Sequence, residues 1–257
     1  MAGAKGMKET GATSGLGNRG KGNLAPGGRR TRKTPSKGWL MIRETLMMVV
    51  VALAISAIIK AFLLQAFQIP SSSMEQTLQI NDRIIVSKLV PKYRQLNRGD
   101  VIVFQDDDNW LKRDGTTPSP SIAGKIMIWV GLRPDDSHNH LVKRIVGLPG
   151  DRVQCCDTNG RLKVNGVSVD ESGYINPGSA PSLIKFDVTV PAGKLWVMGD
   201  NRSNSEDSRF HIKEPSKGFV SVDQVTGRAF AIMWPLNRVS TIKNTDAFAA
   251  VPPRSLK

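Results

Sequence analysis

The sequence predicts an all-β domain of mostly antiparallel sheets, preceded by one transmembrane helix and a disordered basic tail. Three observations predict this fold class: an N-terminal stretch without apolar periodicity, one long apolar run, and a series of short β-rich runs separated by turn residues. The hydrophobic content of 40% excludes a wholly disordered chain. We therefore divide the 257 residues into a tail at 1–38, an anchor at 39–67 and a β-rich domain at 68–257.

The tail carries most of the positive charge. The formal net charge is +14, and residues 1–43 hold +9 of it, with ten basic residues against one acidic residue. A segment so rich in Gly, Lys, Arg, Ser and Thr buries too little apolar surface to offset the entropy of ordering. Such a tail can contact nucleic acid or an anionic membrane. Because no nucleic-acid-binding motif accompanies it, the sequence favours a topology signal that contacts anionic lipid, and it predicts no nucleic-acid partner.

Residues 46–67 form the apolar run. As a helix these 22 residues would span about 33 Å at about 1.5 Å each, enough to cross a bilayer. Lys60 lies near the end, where its stem can carry the ammonium to the headgroups. A buried core helix and a cleavable signal peptide are the alternatives, but the length of the run and the lack of a small-x-small site after it favour a retained anchor. The basic tail then stays in the cytoplasm, and the domain lies outside the plasma membrane.

The β-rich domain is predicted from short runs that contain many β-branched and aromatic residues. The nine runs lie at 83–86, 101–104, 141–146, 153–155, 161–164, 167–169, 186–190, 195–198 and 228–234. Asn159-Gly160 and Asn165-Gly166 are two-residue hairpin signals, so residues 152–169 should form a small meander within an insertion at 151–191. Long loops are expected at 105–122 and 133–140.

Two cysteines are too few for a disulfide-dense scaffold. Cys155 and Cys156 are neighbours on a predicted strand, where successive side chains point to opposite faces. A disulfide between them would be strained in that geometry. We therefore expect the hydrophobic core to hold the domain together without one.

The segment 68–78 leaves the anchor with a run of three serines, Ser71 to Ser73. A serine run alone is typical of a solvated loop or a helix cap, and a nucleophile also needs a base. The chain has three histidines, His138, His140 and His211. The first two lie in a polar loop with no metal-ligand spacing, so we interpret them as surface residues.

Lys143 is the stronger candidate for a base. Strand alternation places it on the face of Leu141 and Ile145, with Arg144 on the other face. An ordinary lysine is neutral in about one molecule in 2,500 at pH 7, so forming the neutral amine that a base needs costs about 4.6 kcal/mol. Burial lowers the pKa, so a buried lysine beside a serine hydroxyl makes a nucleophile and base without histidine. An exposed lysine on an edge strand is the alternative.

A third polar segment, residues 199–209, follows the run at 195–198 and contains two Arg/Asp pairs. Loops dense in hydrogen-bonding side chains and set on a rigid strand tend to build sites. By itself this loop could serve a catalytic site, bind a metal or form a plain turn.

Taken together, these segments resemble the type I signal peptidases, the bacterial membrane-anchored serine proteases that remove signal peptides from exported proteins. The resemblance rests on an N-terminal anchor followed by motifs in a fixed order over residues 46–209. The motifs are Ile69-Pro70-Ser71-Ser72-Ser73-Met74 with Thr77-Leu78, Gly99-Asp100-Val101-Ile102-Val103-Phe104, Lys143-Arg144-Ile145-Val146-Gly147-Leu148-Pro149-Gly150-Asp151, and the loop 199–209. The tail, the loop at 105–140 and the end of the chain lie outside the match.

The resemblance implies a role for each matched residue. Ser73 matches the nucleophile and Lys143 the general base, in agreement with the strand-face argument. Ser71 matches the hydroxyl of the oxyanion hole, which acts with the Ser73 backbone N–H. Ser205 matches the residue that orients the lysine amine. No cofactor and no metal are implied.

The resemblance also implies ion pairs and substrate pockets. Asp200 with Arg144, and Asp207 with Arg209, match structural pairs that shape the site. The positions that match shallow pockets for small substrate side chains are Phe67, Ile69, Pro70, Met74 and Val142. The implied substrates are signal peptides of exported preproteins, cut after Ala-x-Ala beside the lipid bilayer.

Three positions depart from the family pattern. Ser72 stands where Gly is common and could hinder close approach of the substrate backbone. Gln76 stands where Pro is common, which removes a fixed φ angle near the nucleophile. Ser203 replaces a frequent Asp and leaves Arg202 with fewer possible partners.

Two other functions fit parts of the sequence. A catalytically silent membrane-anchored β-domain could bind exported chains without cutting them. A self-cleaving repressor of the SOS type also uses Ser and Lys on β structure, but it would need a helix-turn-helix instead of an anchor. Separately, the apolar stretch 122–132 is expected either to rest in the lipid interface or to form a core strand.

Overall fold

The computed structural model describes residues 37–92, 94–108, 110, 121 and 140–252. Helix α1 comprises Lys37–Phe62. Its segment Lys37–Ile59 is long and apolar enough to cross a membrane, by length and composition, and its most apolar part is not buried. The predicted apolar helix is therefore confirmed. The predictions for the tail at 1–36, for the stretch 122–132 and for His138 lie outside the described residues.

The helix ends earlier than the sequence predicts, at Phe62 instead of Phe67. Strand β1, Leu64–Gln68, follows almost at once and pairs antiparallel with β2, Arg83–Ser87. Hydropathy cannot locate this boundary, because the same apolar residues suit a span and a buried strand. The last part of the predicted anchor belongs to the β-domain, and the Phe67 side chain lies in its core with 3% exposure.

The strands form two antiparallel sheets in the described part of the chain. The larger sheet has the order β1-β2-β11-β3-β4-β9-β10, with β12 paired to β11, and the smaller sheet has the order β7-β6-β5-β8. The remaining strands are β3 Val101–Gln105, β4 His140–Gly147, β5 Arg152–Cys155, β6 Leu162–Val164, β7 Val167–Ser168, β8 Phe186–Thr189, β9 Lys194–Met198, β10 Val220–Ser221, β11 Val225–Trp234 and β12 Ser240–Thr241.

All nine predicted runs are strands, with ends that differ from the predicted ones by at most three residues. The prediction of a mostly antiparallel β-domain is thus confirmed. Strands β10 and β12 were not predicted, because two residues are too few to show an alternation. His140 begins β4 instead of ending a loop, because it continues the pairing with β3 opposite Gln105.

The smaller sheet contains the predicted meander. Asn165 and Gly166 have φ angles of 52° and 84°, as a two-residue hairpin turn between β6 and β7 requires. Asn159-Gly160 does not form such a turn, because β5 and β6 are joined by the longer connection 156–161. Asp157 holds this connection, since its Oδ1 accepts hydrogen bonds from the backbone N–H groups of Asn159 and Arg161, both at 2.8 Å.

Cys155 and Cys156 are joined by a disulfide. The expectation that the domain lacks this bond was wrong. Cys156 lies beyond the end of β5, so the alternation of a strand does not apply to its side chain. Both cysteines pack against the hydrophobic cluster beneath the smaller sheet.

A second hydrophobic cluster lies under the segment that carries the serines. Its members include Phe67, Ile69 and Met74, which are at most 3% exposed, together with Leu78. Apolar burial of this kind stabilises by about 25 cal/mol for each Å² removed from water. The core thereby fixes the backbone on both sides of Ser73.

Candidate active site

Ser73 lies in a turn that begins after β1. At the start of this segment the backbone N–H of Ile69 donates to the carbonyl of Asp82 at 2.9 Å. Immediately after Ser73, the Met74 side chain is buried in the core. The Ser73 side chain remains 9% exposed, and its Oγ lies 3.4 Å from Ser71 Oγ. The structure therefore brings together the two hydroxyls that the sequence predicts for the nucleophile and the oxyanion hole.

Lys143 lies in the interior of the larger sheet. Strand β4 is flanked by β3 and β9, with Lys143 opposite Ile102 and the next residue, Arg144, opposite Met198. The Lys143 side chain is 3% exposed. The alternative of a solvated lysine on an edge strand is therefore wrong, and the buried lysine is confirmed.

Burial lowers the pKa of Lys143 from its ordinary value of 10.5 to about 8. Among its charged neighbours, Asp207 raises the pKa, Arg209 lowers it, and Asp200 and Glu206 raise it. With a pKa of about 8, about one molecule in ten carries a neutral amine at pH 7. The free energy needed to form the neutral amine falls from about 4.6 to about 1.4 kcal/mol. A lysine in this state can accept a proton near neutral pH.

The loop 199–209 contacts the serine segment directly. The Asn201 backbone N–H donates to the Ser73 carbonyl at 3.0 Å, and its side-chain amide donates to the Ser72 carbonyl at 3.2 Å. The Asn204 side-chain amide donates to Ser72 Oγ at 2.7 Å. The hydroxyl at position 72, where the family often has glycine, thus helps to tie the two segments together.

Gly199 occupies the point of closest approach between these segments. A Cβ at this position would overlap the Ser73 carbonyl oxygen and the Ser205 Oγ. Only a residue without a side chain fits there. The positions of Ser73 and Ser205 are therefore both coupled to the backbone of residue 199.

Ser205 is held by the carboxylate of Asp207. Ser205 Oγ donates to Asp207 Oδ2 at 2.9 Å, and the Gly199 backbone N–H donates to the same oxygen at 3.0 Å. The Arg209 guanidinium adds two hydrogen bonds to this carboxylate, both at 2.8 Å. Burial acts to raise the pKa of Asp207, but the hydrogen bonds and charge of Arg209 outweigh it and leave the pKa lowered. The predicted Asp207–Arg209 pair is present, and Asp207 stays ionised.

The predicted pair of Arg144 with Asp200 is also present. The Arg144 guanidinium donates to both Asp200 oxygens, at 2.8 and 2.6 Å, and to the Gly99 carbonyl at 2.7 Å. Thr77 Oγ1 donates to Asp200 Oδ2 at 2.5 Å. Since Thr77 lies four residues after Ser73, this buried pair joins β4, the loop 199–209 and the serine segment.

Arg202 has a partner that sequence reasoning missed. Ser203 does not provide a carboxylate, and Glu171 from the meander insertion does so instead, at 2.5 and 2.8 Å from the guanidinium nitrogens. Both side chains are 1% exposed. The pairing joins residues that are 31 positions apart and outside the family motifs, so no local pattern could have indicated it.

The structure brings Ser73 and Lys143 to the same loop without joining them directly. The Ser73 carbonyl accepts a hydrogen bond from Asn201 of the loop, and the charges of Asp207 and Arg209 of the same loop shift the pKa of Lys143. Within the described ranges, no hydrogen bond forms between Ser73 Oγ and Lys143 Nζ. Catalytic hydrogen bonds are often long in the absence of substrate and tighten when it binds.

The residues predicted to line substrate pockets lie together. Phe67, Ile69 and Met74 belong to one buried cluster, and Val142 is half-buried against it. Pro70 is exposed. The three buried side chains can therefore form only the floor of a shallow pocket. Pro70 and Val142 are the predicted pocket residues that a substrate can reach.

The backbone explains the departure at Gln76. Its φ angle is 89°, in the left-handed region. Proline locks φ near −65° and cannot adopt this conformation. The turn at residue 76 therefore has a φ angle that glutamine adopts here and proline could not.

The two described histidines are not partners of the Ser73 hydroxyl, whose side-chain contact among the described residues is with Ser71. His140 is half-buried, with its ring centroid 5.0 Å from that of Phe67. His211 is buried and stacks on Trp110, and its Nδ1 lies 2.8 Å from Glu214 Oε1. The interpretation of His140 as a surface residue was too simple, because β4 packs its ring against Phe67.

Comparison with known proteins agrees with this geometry. The family model described as signal peptidase, peptidase S26, matches residues 42–234, which include the serine segment, β4 and the loop 199–209. The chain belongs to the S26 signal peptidase family. It is therefore a serine endopeptidase that cleaves signal peptides from preproteins, and the alternative of a silent binding domain is not favoured.

Individual relatives are similar along most of their length. A probable signal peptidase I-2 of Synechocystis is 36% identical over 224 residues, which cover 87% of this chain and 86% of the relative. The signal peptidase I of Mycobacterium tuberculosis is 34% identical over 228 residues, which cover 80% and 76%. The crystal structure of a signal peptidase I from Enterococcus faecalis is 24% identical, with a TM-score of 0.33, and the match covers 52% of this chain and 97% of that one. Family membership rests on the family model and the sequence relatives.

Replacing Gly199 tests the close approach of the two segments. We expect Gly199→Ala to lower kcat/KM for precursor cleavage by about 100-fold, because the new Cβ displaces Ser73 or Ser205 from the position needed for reaction. Gly173→Ala is the matched control, since no atom lies within 4 Å of its Cβ position. Wild-type kinetics for Gly199→Ala would contradict the close packing described here.

Proposed function

We propose that Ser73 and Lys143 form the catalytic dyad of this peptidase. The observation that carries the proposal is the burial of Lys143 with a pKa lowered to about 8, in a sheet whose next strand leads into the loop that holds Ser73. Both residues lie within the part of the chain that the family model matches. Neither of the two described histidines supplies a competing base.

The reaction is amide hydrolysis in two stages. Neutral Lys143 accepts the proton of Ser73 Oγ while the oxygen attacks the carbonyl carbon of the scissile bond. The protonated amine then gives its proton to the leaving nitrogen, and the peptide bond breaks to leave an acyl-enzyme. Lys143 next takes a proton from water, whose oxygen attacks the ester, and the proton returns to Ser73 as the acid product leaves.

The oxyanion formed at each stage needs hydrogen-bond donors. The Ser71 hydroxyl lies beside Ser73 Oγ, at 3.4 Å. The Ser73 backbone N–H has no acceptor among the described residues, so it is available to the substrate. Each such donor can lower the barrier by about 3 kcal/mol.

Substrate preference is proposed to be Ala-x-Ala before the cut. An extended peptide that adds as a strand beside the serine segment would place alternate side chains toward the protein. The floor there is already filled by Phe67, Ile69 and Met74, so space remains only for small side chains. This matches the preference that the family resemblance implies.

The dyad is tested by cleavage of a purified precursor in detergent, with Ala or Asp at the residue before the cut. We expect Ser73→Ala and Lys143→Ala to lower kcat by at least about 10³-fold, because one removes the nucleophile and the other the base. We expect the Asp precursor to resist the wild-type enzyme. Lys163→Ala, a half-buried strand lysine in the meander, is the matched control and should retain activity. Retained cleavage by folded Ser73→Ala or Lys143→Ala would refute the dyad.

We further propose that α1 anchors the chain in the plasma membrane with its N-terminus in the cytoplasm. The ten basic residues before residue 44 favour this orientation, and Ser73 then lies eleven residues beyond the helix end at Phe62. The site would therefore work close to the outer surface of the bilayer, where a membrane-inserted signal peptide ends.

Protease added to the outside of intact spheroplasts tests this orientation. We expect an epitope tag placed before residue 1 to be protected until the membrane is permeabilised. A tag placed after residue 257 should be removed without permeabilisation. The reverse pattern, or removal of both tags from intact cells, would contradict the proposed topology.

A further inference from the structure

A buried ion pair ties the meander insertion to the catalytic loop. Glu171 lies in the connection between β7 and β8, and Arg202 lies in the loop 199–209. The Arg202 guanidinium contacts both Glu171 oxygens, at 2.5 and 2.8 Å, and both side chains are 1% exposed. Two planar groups joined by parallel hydrogen bonds fix each other in orientation as well as distance.

The remaining hydrogen-bonding groups of this pair are also satisfied. Arg202 Nη1 donates to the Pro181 carbonyl at 3.0 Å, and the Tyr174 hydroxyl donates to Glu171 Oε1. A buried charge without such partners would be strongly destabilising. The complete set of contacts leaves the Arg202 side chain one well-defined position.

Arg202 uses that position to hold the backbone of the catalytic loop. Its Nε donates to the Gly199 carbonyl at 2.9 Å. Its own carbonyl accepts a hydrogen bond from Arg209 Nη2, also at 2.9 Å. Gly199 is the residue that lies against the Ser73 carbonyl and Ser205. The Arg202 guanidinium therefore restrains the segment that contacts Ser73 at Gly199, and the Arg209 guanidinium restrains it at the Arg202 carbonyl.

Tyr174 connects this pair to the ion pair of Arg144. Both guanidinium groups lie near its ring, whose centroid is 4.5 Å from Arg144 Cζ and 5.8 Å from Arg202 Cζ. Cations over an aromatic face are attracted by its quadrupole. Burial, followed by the negative charge of Glu171, raises the pKa of Tyr174, so the hydroxyl keeps the proton that it donates.

We propose that Glu171 is a positioning residue for the peptidase reaction. Glu171 holds Arg202, and Arg202 holds the Gly199 carbonyl. Through these contacts Glu171 affects how Ser73 is aligned with Lys143. The inference rests on the proposed Ser-Lys mechanism. It assigns the meander a part in catalysis, because the insertion supplies the carboxylate that the catalytic loop lacks at Ser203.

Steady-state cleavage of an Ala-x-Ala precursor by the full-length protein in detergent tests this role. We expect Glu171→Gln to lower kcat by about 10- to 100-fold, since small displacements of reacting groups cost rates of this order, with KM changed less than threefold. Asp187→Asn is the matched control. It breaks another two-point Arg–carboxylate pair of the meander, with Arg152, but that pair is about half exposed and the side-chain hydrogen bonds of Asp187 go to Arg152 and Gln154, outside the loop. We expect it to leave kcat unchanged.

A double variant, Glu171→Met with Arg202→Met, separates positioning from stability. Removing both charges leaves no uncompensated buried ion, so we expect the thermal midpoint to approach the wild-type value even where Glu171→Gln folds poorly. The Gly199 carbonyl still lacks its donor, so we expect kcat to stay at least tenfold low. Recovery of kcat together with stability would show a purely structural pair, and wild-type kcat in Glu171→Gln would also overturn the proposal. Wild-type enzyme, Ser73→Ala and Lys143→Ala, assayed in parallel, show separately whether the dyad mechanism itself holds.

Discussion

The site depends on a lysine amine that is kept out of water. Lys143 lies on β4, a strand that pairs with β3 on one side and β9 on the other, and its side chain is buried. Removal from water favours the neutral amine, and the nearby carboxylates oppose this effect in part. Arg209 limits their influence, because it neutralises Asp207 at short range. The balance leaves an amine that can accept a proton near neutral pH, which is what the proposed role as base requires.

Much of this arrangement could be predicted from the sequence, because it depends on local patterns. The alternation Leu141-Val142-Lys143-Arg144-Ile145 places a lysine on an apolar face by ordinary strand geometry. The sequence left an exposed edge strand as the alternative, and the position of β4 between β3 and β9 excludes it. The pairs of Arg144 with Asp200 and of Arg209 with Asp207 came from the family motifs and are present. The antiparallel fold followed from short β-rich runs with Gly-containing turns.

Other features could not be predicted, because they depend on contacts between distant parts of the chain. The helix end at Phe62 is set by the pairing of Leu64–Gln68 with β2, which hydropathy does not show. Glu171 contacts Arg202 because the folded chain brings the meander against the loop 199–209, and no local pattern shows this. The fit of Gly199 against Ser73 likewise appears only in three dimensions. These long-range contacts join the insertion, the loop and Ser73.

Titration of the Lys143 amine is the most direct measurement of the central claim. Lysine labelled with ¹⁵N at Nζ and ¹³C at Cε allows the protonation of each amine to be followed by NMR in the detergent-solubilised protein, and the signal lost in Lys143→Ala assigns the residue. Because burial lowers its pKa, we expect Lys143 to change from charged below to neutral above a midpoint of about pH 8. A midpoint near 10.5, the ordinary lysine value, would leave only about one molecule in 3,000 with a neutral amine at pH 7 and would contradict the proposed role of Lys143 as the base.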